Sequence, residues 1–341
     1  MLKMNPLQKQ YELLLRPSRA LIADISRIEG DIIILGAGGK MGPSLAKLAK
    51  TAVEEAGLSK NIIAVSRFSD ANVIQDLQRA GIETISADLL VEADLQALPE
   101  APNVLYLAGT KFGTQGNESF TWAMNSYLPG RVAEKFRNSR IVVFSTGNVY
   151  PLTPVIQGGA TENSPTQPLG EYAQSCLGRE RIFEYSSKRY KTPALIYRLN
   201  YANDVSYGVL LELAKSVIAE QPIDLSMGNV NVIWQGDANE IALRSLLHCS
   251  SPVKILNVTG PELLSVRWIA EQFGKMSGID PVFVNNEQPT ALLSNASECV
   301  DLFGYPATGP KLMMRLIYQW LMEGGATINK KTHFQEREGK Y

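Results

Sequence analysis

Along the chain, short β-branched runs alternate with stretches whose apolar residues recur at helical spacing. Asp31–Leu35, Asn61–Val65, Val104–Leu107, Ile141–Ser145, Ala194–Arg198 and Ile255–Val258 read as strands. Between the first two, Leu45, Leu48, Ala49, Ala52, Val53 and Ala56 fall on one stripe of a helix that has Pro43 in its first turn and stops at Gly57. Strand, helix and strand repeated this way predict right-handed crossovers and a parallel sheet covered on both faces, an α/β doubly wound architecture. After Asn200 the alternation loosens. A smaller second unit is expected from 201–229 and 261–328, with 230–260 returning to a first unit at 31–200. Residues 1–30 read as an added helix or two, and Asn329–Tyr341 as a polar tail.

Composition narrows the function classes. Of 341 residues, 45% are hydrophobic and 20% charged, and 33 Lys+Arg balance 34 Asp+Glu to a net charge of -1. That balance argues against a nucleic-acid binder, which would show a basic face. No segment approaches the roughly 20 apolar residues that span a bilayer; even Val209–Ala219 is interrupted by Glu212 and Lys215. Lys3, Lys9, Glu12 and Arg16 break up any secretory apolar block at the start. A cytoplasmic protein with a small-molecule substrate is expected. Cys176, Cys249 and Cys299 are far apart, and His248 and His333 stand in no motif. Neither a disulfide framework, nor a metal site, nor a Ser-His-Asp hydrolase is therefore expected.

Candidate chemistry begins right after the first strand, with Gly36, Ala37, Gly38, Gly39, Lys40, Met41 and Gly42 leading into the helix. Gly36, Gly39 and Gly42 keep the spacing in which the first glycine makes a tight turn, the second admits a pyrophosphate, and the third lets helix pack on strand. The helix N-terminus adds free N–H groups and partial positive charge, so the loop is read as a dinucleotide site. At the end of the second strand, where an NAD-selective site carries an acid for the ribose hydroxyl, stand Ser66 and Arg67. Arg67 is suited to a 2′-phosphate, so the cofactor is read as NAD(P), leaning to NADP, against the alternative of a solvated surface arginine.

With these motifs the chain resembles an extended short-chain dehydrogenase/reductase of the NAD-dependent epimerase/dehydratase type. Further matches are Asp88-Leu89 after the family's third strand, where it contacts adenine, and Ala108-Gly109 after the fourth, on the nicotinamide side. Asn125 falls where the family has a structural Asn, and Phe144–Tyr150 resembles its Ser/Thr-bearing strand end. Glu162, Pro165, Pro168 and Tyr172 lead into the catalytic helix; Arg198, Asn200 and Tyr201 resemble the sixth strand and its exit. The resemblance implies Thr146 to orient a substrate oxygen and Tyr172 to move its proton. It also implies Asn148, Asn200 and Tyr201 as substrate contacts, and a homodimer through helices near 119–137 and 172–190.

One family feature is missing. A free phenol has a pKa near ~10 and needs a nearby cation to act as a base at neutral pH. The family places a lysine one turn after its tyrosine, whereas this helix reads Tyr172, Ala173, Gln174, Ser175, Cys176. A cysteine cannot supply that charge. Lys111 is a candidate replacement cation, against an ordinary surface lysine; Cys176 is a candidate nucleophile, against a small buried hydrophobe. Two functions stay open: an NAD(P)-dependent oxidoreductase or epimerase-type enzyme with an atypical site, or a non-catalytic NAD(P)-binding regulatory protein. Members acting on nucleotide-diphosphate sugars carry arginines that would fall at Val230 and near Asn286–Pro289, where this chain has none. A free sugar, sugar acid or polyol is therefore the expected substrate.

Overall fold

The structure, a computed structural model, describes residues 6–111 and 113–340; residues 1–5 of the expected N-terminal extension and Tyr341 of the expected tail lie outside the described residues. Seven parallel strands form the central sheet: β1 Ile32–Leu35, β2 Ile62–Ser66, β3 Glu83–Ser86, β4 Asn103–Tyr106, β5 Arg140–Thr146, β6 Ala194–Leu199 and β7 Lys254–Val258. Their spatial order is β3-β2-β1-β4-β5-β6-β7, the doubly wound arrangement. The all-apolar β1 is buried along its whole length, as a strand covered on both faces must be. The edge strand β3, reading Glu-Thr-Ile-Ser, is exposed at both ends, which is why no apolar run marks it in the sequence.

Helices α1 (Pro6–Leu13) and α2 (Arg19–Arg27) precede the sheet; α3 (Gly42–Glu55), α4 (Ala71–Arg79), α5 (Glu92–Ala97), α6 (Glu118–Trp122), α7 (Leu128–Lys135) and α8 (Gly170–Tyr190) alternate with its strands. Residues of α2, α3 and α4 share one core layer with Ile32 and Ile34 of β1. Residues of α5, α7 and α8 share the opposite layer with Ile33 and Leu35. The later helices are α9 (Val209–Ile218), α10 (Gln235–Arg244), α11 (Val266–Ser277), α12 (Ser297–Phe303) and α13 (Pro310–Met322). Of these, α10 joins the first layer, while α9, α11 and α13 build a second core around Trp234, Phe273 and Phe334. Among the described residues no helix is long and apolar enough to cross a membrane.

Two boundaries differ from expectation. Val230 pairs with Leu264 and is buried in the second core, so the return to the first unit starts after it, with Ile233–Trp234 beside Ala202–Asn203 and then α10. The stretch 329–340 is no solvated tail. Its one large apolar residue, Phe334, is fully buried in the second core, and Thr332 donates from Oγ1 and N to Glu212 at 2.6 and 2.8 Å. A lone aromatic in a polar run gives no periodicity to read. The N-terminal extension likewise bridges the units: α2 packs on the sheet, while Tyr11 of α1 donates to Asp204 at 2.9 Å and meets Trp234 edge-on.

Candidate active site

A cleft of about 890 Å³ opens beyond the C-terminal ends of β1, β4, β5 and β6, the place where a doubly wound sheet binds its ligand. Gly36, Gly38, Gly39, Lys40, Met41 and Gly42 line one end. Gly36 has φ +89°, and a Cβ there would lie 2.6 Å from the Ala108 nitrogen, so only glycine makes this turn. A Cβ on Gly42 would overlap the Ala37 carbonyl. Gly39, by contrast, has only the Gly36 carbonyl oxygen within 4 Å, at 3.4 Å, and faces open cleft. Followed by the N-terminus of α3, this cradle fits the diphosphate of a dinucleotide.

The adenine-side residues separate. Ser66 lies against Gly38, Arg67 beyond it is exposed, and Asp70 and Val73 line the cleft. Asp88 does not line it: its carboxylate accepts from the Leu90 backbone at 3.0 Å, and Leu89 is buried under the sheet. Ala108 is buried behind Gly36, whereas Gly109 and Lys111 line the cleft.

At the centre the expected pair comes together. Thr146, the last residue of β5, and Tyr172, in the first turn of α8, both line the cleft. Thr146 also donates to Asn148 Oδ1 at 2.8 Å. Cys176, one turn after Tyr172, is 1% exposed among Val149, Tyr150 and Ala160, behind the cleft wall. Burial pushes its thiol up in pKa, with Arg179 opposing, which is the chemistry of a small buried hydrophobe. Burial, reinforced by Cys176, also holds the Tyr172 phenol well above its usual range.

Two cations lie near this pair. Lys111 Nζ stands 5.9 Å from the centre of the Tyr172 ring, and burial pushes its pKa down to about 8. Arg179, which sequence reading passed over, is buried two turns along α8 from Tyr172. It donates to the Phe144 carbonyl and to Asn125 Oδ1, both at 2.7 Å, and its Nε is buried without a partner. Asn125, in a single π-helical turn after α6, uses the same oxygen for the Thr110 amide at 2.9 Å and donates to the Thr110 carbonyl at 2.8 Å. Asn125 therefore clamps the loop that carries Lys111 and Arg179 braces it. A long cation three residues past the lysine position, on the same helix, was the signal available.

Toward the second unit the cleft is lined by Asn148, Asn200, Tyr201, Tyr207 and, from the C-terminal stretch, Ile328, Lys330 and Thr332. Asn200 donates to the Leu292 carbonyl at 3.4 Å, and Tyr201 to that of Phe334 at 3.4 Å. Lys40 reaches across from the glycine loop, donating to the Ala202 carbonyl at 2.9 Å with its Nζ 3.9 Å above the Tyr207 ring. Burial, against the attraction of Asp204 and with repulsion from Lys111, lowers its pKa to about 7. Among the described residues no group of three His, Cys, Asp or Glu side chains gathers as metal ligands would.

Comparison with known proteins agrees with this geometry. The model of the NAD dependent epimerase/dehydratase family matches residues 32–210, more than half of the chain. No curated protein matches the sequence. Among solved structures, an epimerase from Methanothermobacter thermautotrophicus is similar with TM-score 0.71 and 16% identity, over 90% of this chain and 96% of that one. The UDP-glucose 4-epimerase of Thermotoga maritima, solved with UDP-glucose, gives TM-score 0.69 and 14% identity over 86% of this chain and 99% of that one. The UDP-glucuronic acid 4-epimerase of Bacillus cereus, in complex with NAD, gives TM-score 0.67 and 18% identity over the same shares, 86% and 99%. At these identities what is shared is the fold. The family match over residues 32–210, from β1 to the start of α9, a range that contains the glycine loop, Thr146 and Tyr172, is the ground for stating that this chain belongs to the NAD-dependent epimerase/dehydratase family.

Proposed function

We propose that this chain is an NAD(P)-dependent oxidoreductase or epimerase-type enzyme with an atypical active site, acting at a carbinol carbon of a sugar-like or polyol substrate that carries no nucleotide diphosphate. The observation that carries the reading is the convergence of Thr146 and Tyr172 in the wall of a cleft whose other end is the glycine loop. Gly36 to Gly42 and the N-terminus of α3 would hold the cofactor, which supplies hydride transfer when bound. Thr146 orients the substrate oxygen and Tyr172 moves its proton.

The substrate class is supported by what occupies the far end. Val230, where a pyrophosphate-gripping arginine is expected, is fully buried. Arg337, from the C-terminal stretch, donates to the carbonyls of Ser226 at 2.9 Å and Thr290 at 2.8 Å. The chain itself thus takes up Arg337, and Arg267 is likewise paired with Glu287 at 2.7 Å. The UDP-sugars named with the solved structures weigh against this reading, through enzymes that share 14 to 18% of their residues with this chain. UDP-glucose titrated into the cofactor-loaded protein is expected to give no binding; tight binding removes this part of the proposal.

Calorimetric titration of the purified, cofactor-stripped protein with NADPH and then NADH tests the core of the reading. Micromolar binding of at least one is expected, and a folded protein that binds neither overturns it. Arg67, exposed past the end of β2, supports a preference for NADP. Arg67→Ala should cost NADPH about tenfold more affinity than NADH, the worth of one exposed charge-assisted contact; equal losses end the 2′-phosphate role.

The uncharged Cys176 and the high phenol pKa favour a second reading, a non-catalytic NAD(P)-binding regulator. Cofactor oxidation in the presence of sugar-like carbonyl compounds that disappears in Tyr172→Phe decides for the enzyme. A homodimer is proposed through the adjacent helices α6, α7 and α8, where Phe120, Trp122, Tyr127 and Tyr185 are exposed.

A further inference from the structure

Lysines from three distant parts of the chain line the same cleft. Lys40 comes from the glycine loop and Lys111 from the loop after β4; Lys330 comes from the stretch after α13. Among the described residues that line the cleft Asp70 alone is acidic, and its carboxylate is engaged by Asn72 at the start of α4. Two acids outside the lining, Asp204 and Glu212, attract Lys40 and Lys111 respectively and also accept from neutral donors. Asp204 accepts from Tyr11 and Ser206, and Glu212 from Thr332.

The C-terminal stretch is held in place along its length. The Ile328 amide donates to the Ser206 carbonyl at 3.0 Å, and Lys215 donates to Thr327 and Asn329 at 2.8 and 3.0 Å. Thr332, buried Phe334 and Arg337 follow as anchors, and Gly339 packs against the backbone of Gly170, two residues before Tyr172. Asn329 and His333 take positive φ, 52° and 54°, so the chain bends on each side of the cleft-lining Lys330 and Thr332. These anchors make a strap that closes the cleft over Ser206 to Val209, the same segment whose Tyr207 ring lies under Lys40.

We propose that this strap is a specificity element: Lys330, with Lys40 and Lys111, receives a single acidic group on a small substrate, placing its carbinol carbon beside Tyr172. The proposal rests on the reading of the cleft as a cofactor-dependent active site. A diphosphate on the cofactor already has the N-terminus of α3, while Lys40 turns its ammonium away from that loop toward Ala202 in the second unit. Burial leaves Lys40 and Lys111 easily discharged, at about 7 and 8, so an anion in the cleft they line would favour their charged forms.

Inorganic phosphate is the probe, titrated calorimetrically into the full chain saturated with whichever nicotinamide cofactor it binds. Phosphate should bind the loaded protein. Lys330→Met, at an exposed position, should weaken it about two- to fivefold; Lys40→Met, at a half-buried one, about tenfold. Cofactor affinity and thermal midpoint should be unchanged in Lys330→Met. Failure of the loaded protein to take up phosphate overturns the proposal, as does equal affinity in Lys330→Met. Competition between phosphate and cofactor also overturns it, by assigning the lysines to the cofactor. If no cofactor binds at all, the functional reading fails separately, and phosphate titration of the unloaded protein still reads the three lysines.

Discussion

Glu180→Ala should lower the unfolding free energy by about 3–5 kcal/mol, the usual result of stranding a buried charge. Glu180, fully buried on α8, accepts from Arg198 of β6 through Nε at 3.0 Å and Nη2 at 2.6 Å, and from the Ser145 hydroxyl at 2.5 Å. Arg198, 1% exposed, places its remaining nitrogen on Tyr150 at 2.6 Å, and Tyr150 donates to Asn257 Oδ1 of β7 at 2.8 Å. Every member of this network is committed, so removing the carboxylate leaves a guanidinium that water cannot reach. The same bonds tie α8 to β5 next to Thr146 and thereby set the distance between Thr146 and Tyr172. Denaturant unfolding measures the loss. Adding Arg198→Met to Glu180→Ala should return most of it, because deleting both charges removes the unpaired partner. A single-variant loss under about 1 kcal/mol would mean that water or another group satisfies Arg198, and the network would not be what holds the pair.

What could be read in the sequence followed physical regularity. The repeating strand and helix periods and the glycine spacing come from local patterns, Thr146 and Tyr172 from the family resemblance, and the last two both line the cleft. The edge strand Glu83–Ser86 escaped because a half-exposed strand needs no apolar run. Phe334 escaped because one buried ring anchors a strap without any periodicity. Arg179 and Lys330 escaped for a third reason: a buried arginine and a cleft-facing lysine look like solvated ones until the packing around them is known. Asp88, an acid at the family's adenine-side spacing, takes the Leu90 amide on one oxygen, a turn partnership that spacing alone does not announce. The elements were legible, and the side-chain partnerships across them were not.

Gly39→Ala should cost about 100-fold in cofactor affinity while leaving the fold intact, which corresponds to losing roughly two charge-assisted hydrogen bonds to phosphate. The backbone at Gly39 is not in the left-handed region, and an added Cβ meets only the Gly36 carbonyl oxygen at 3.4 Å, so alanine fits without strain. On the open side that methyl group would project where a pyrophosphate must approach the loop amides. Replacing glycine at a compatible position stiffens the unfolded chain, so stability should hold or rise by up to about 1 kcal/mol. Gly42→Ala is the contrast. Its Cβ overlaps the Ala37 carbonyl, so affinity and stability should fall together as the turn into α3 is forced apart. Calorimetry and thermal unfolding of the two variants therefore separate a phosphate-contacting glycine from a packing glycine. Wild-type affinity in Gly39→Ala would place the cofactor away from this loop, and with it would go the alignment of the reacting carbon on Tyr172.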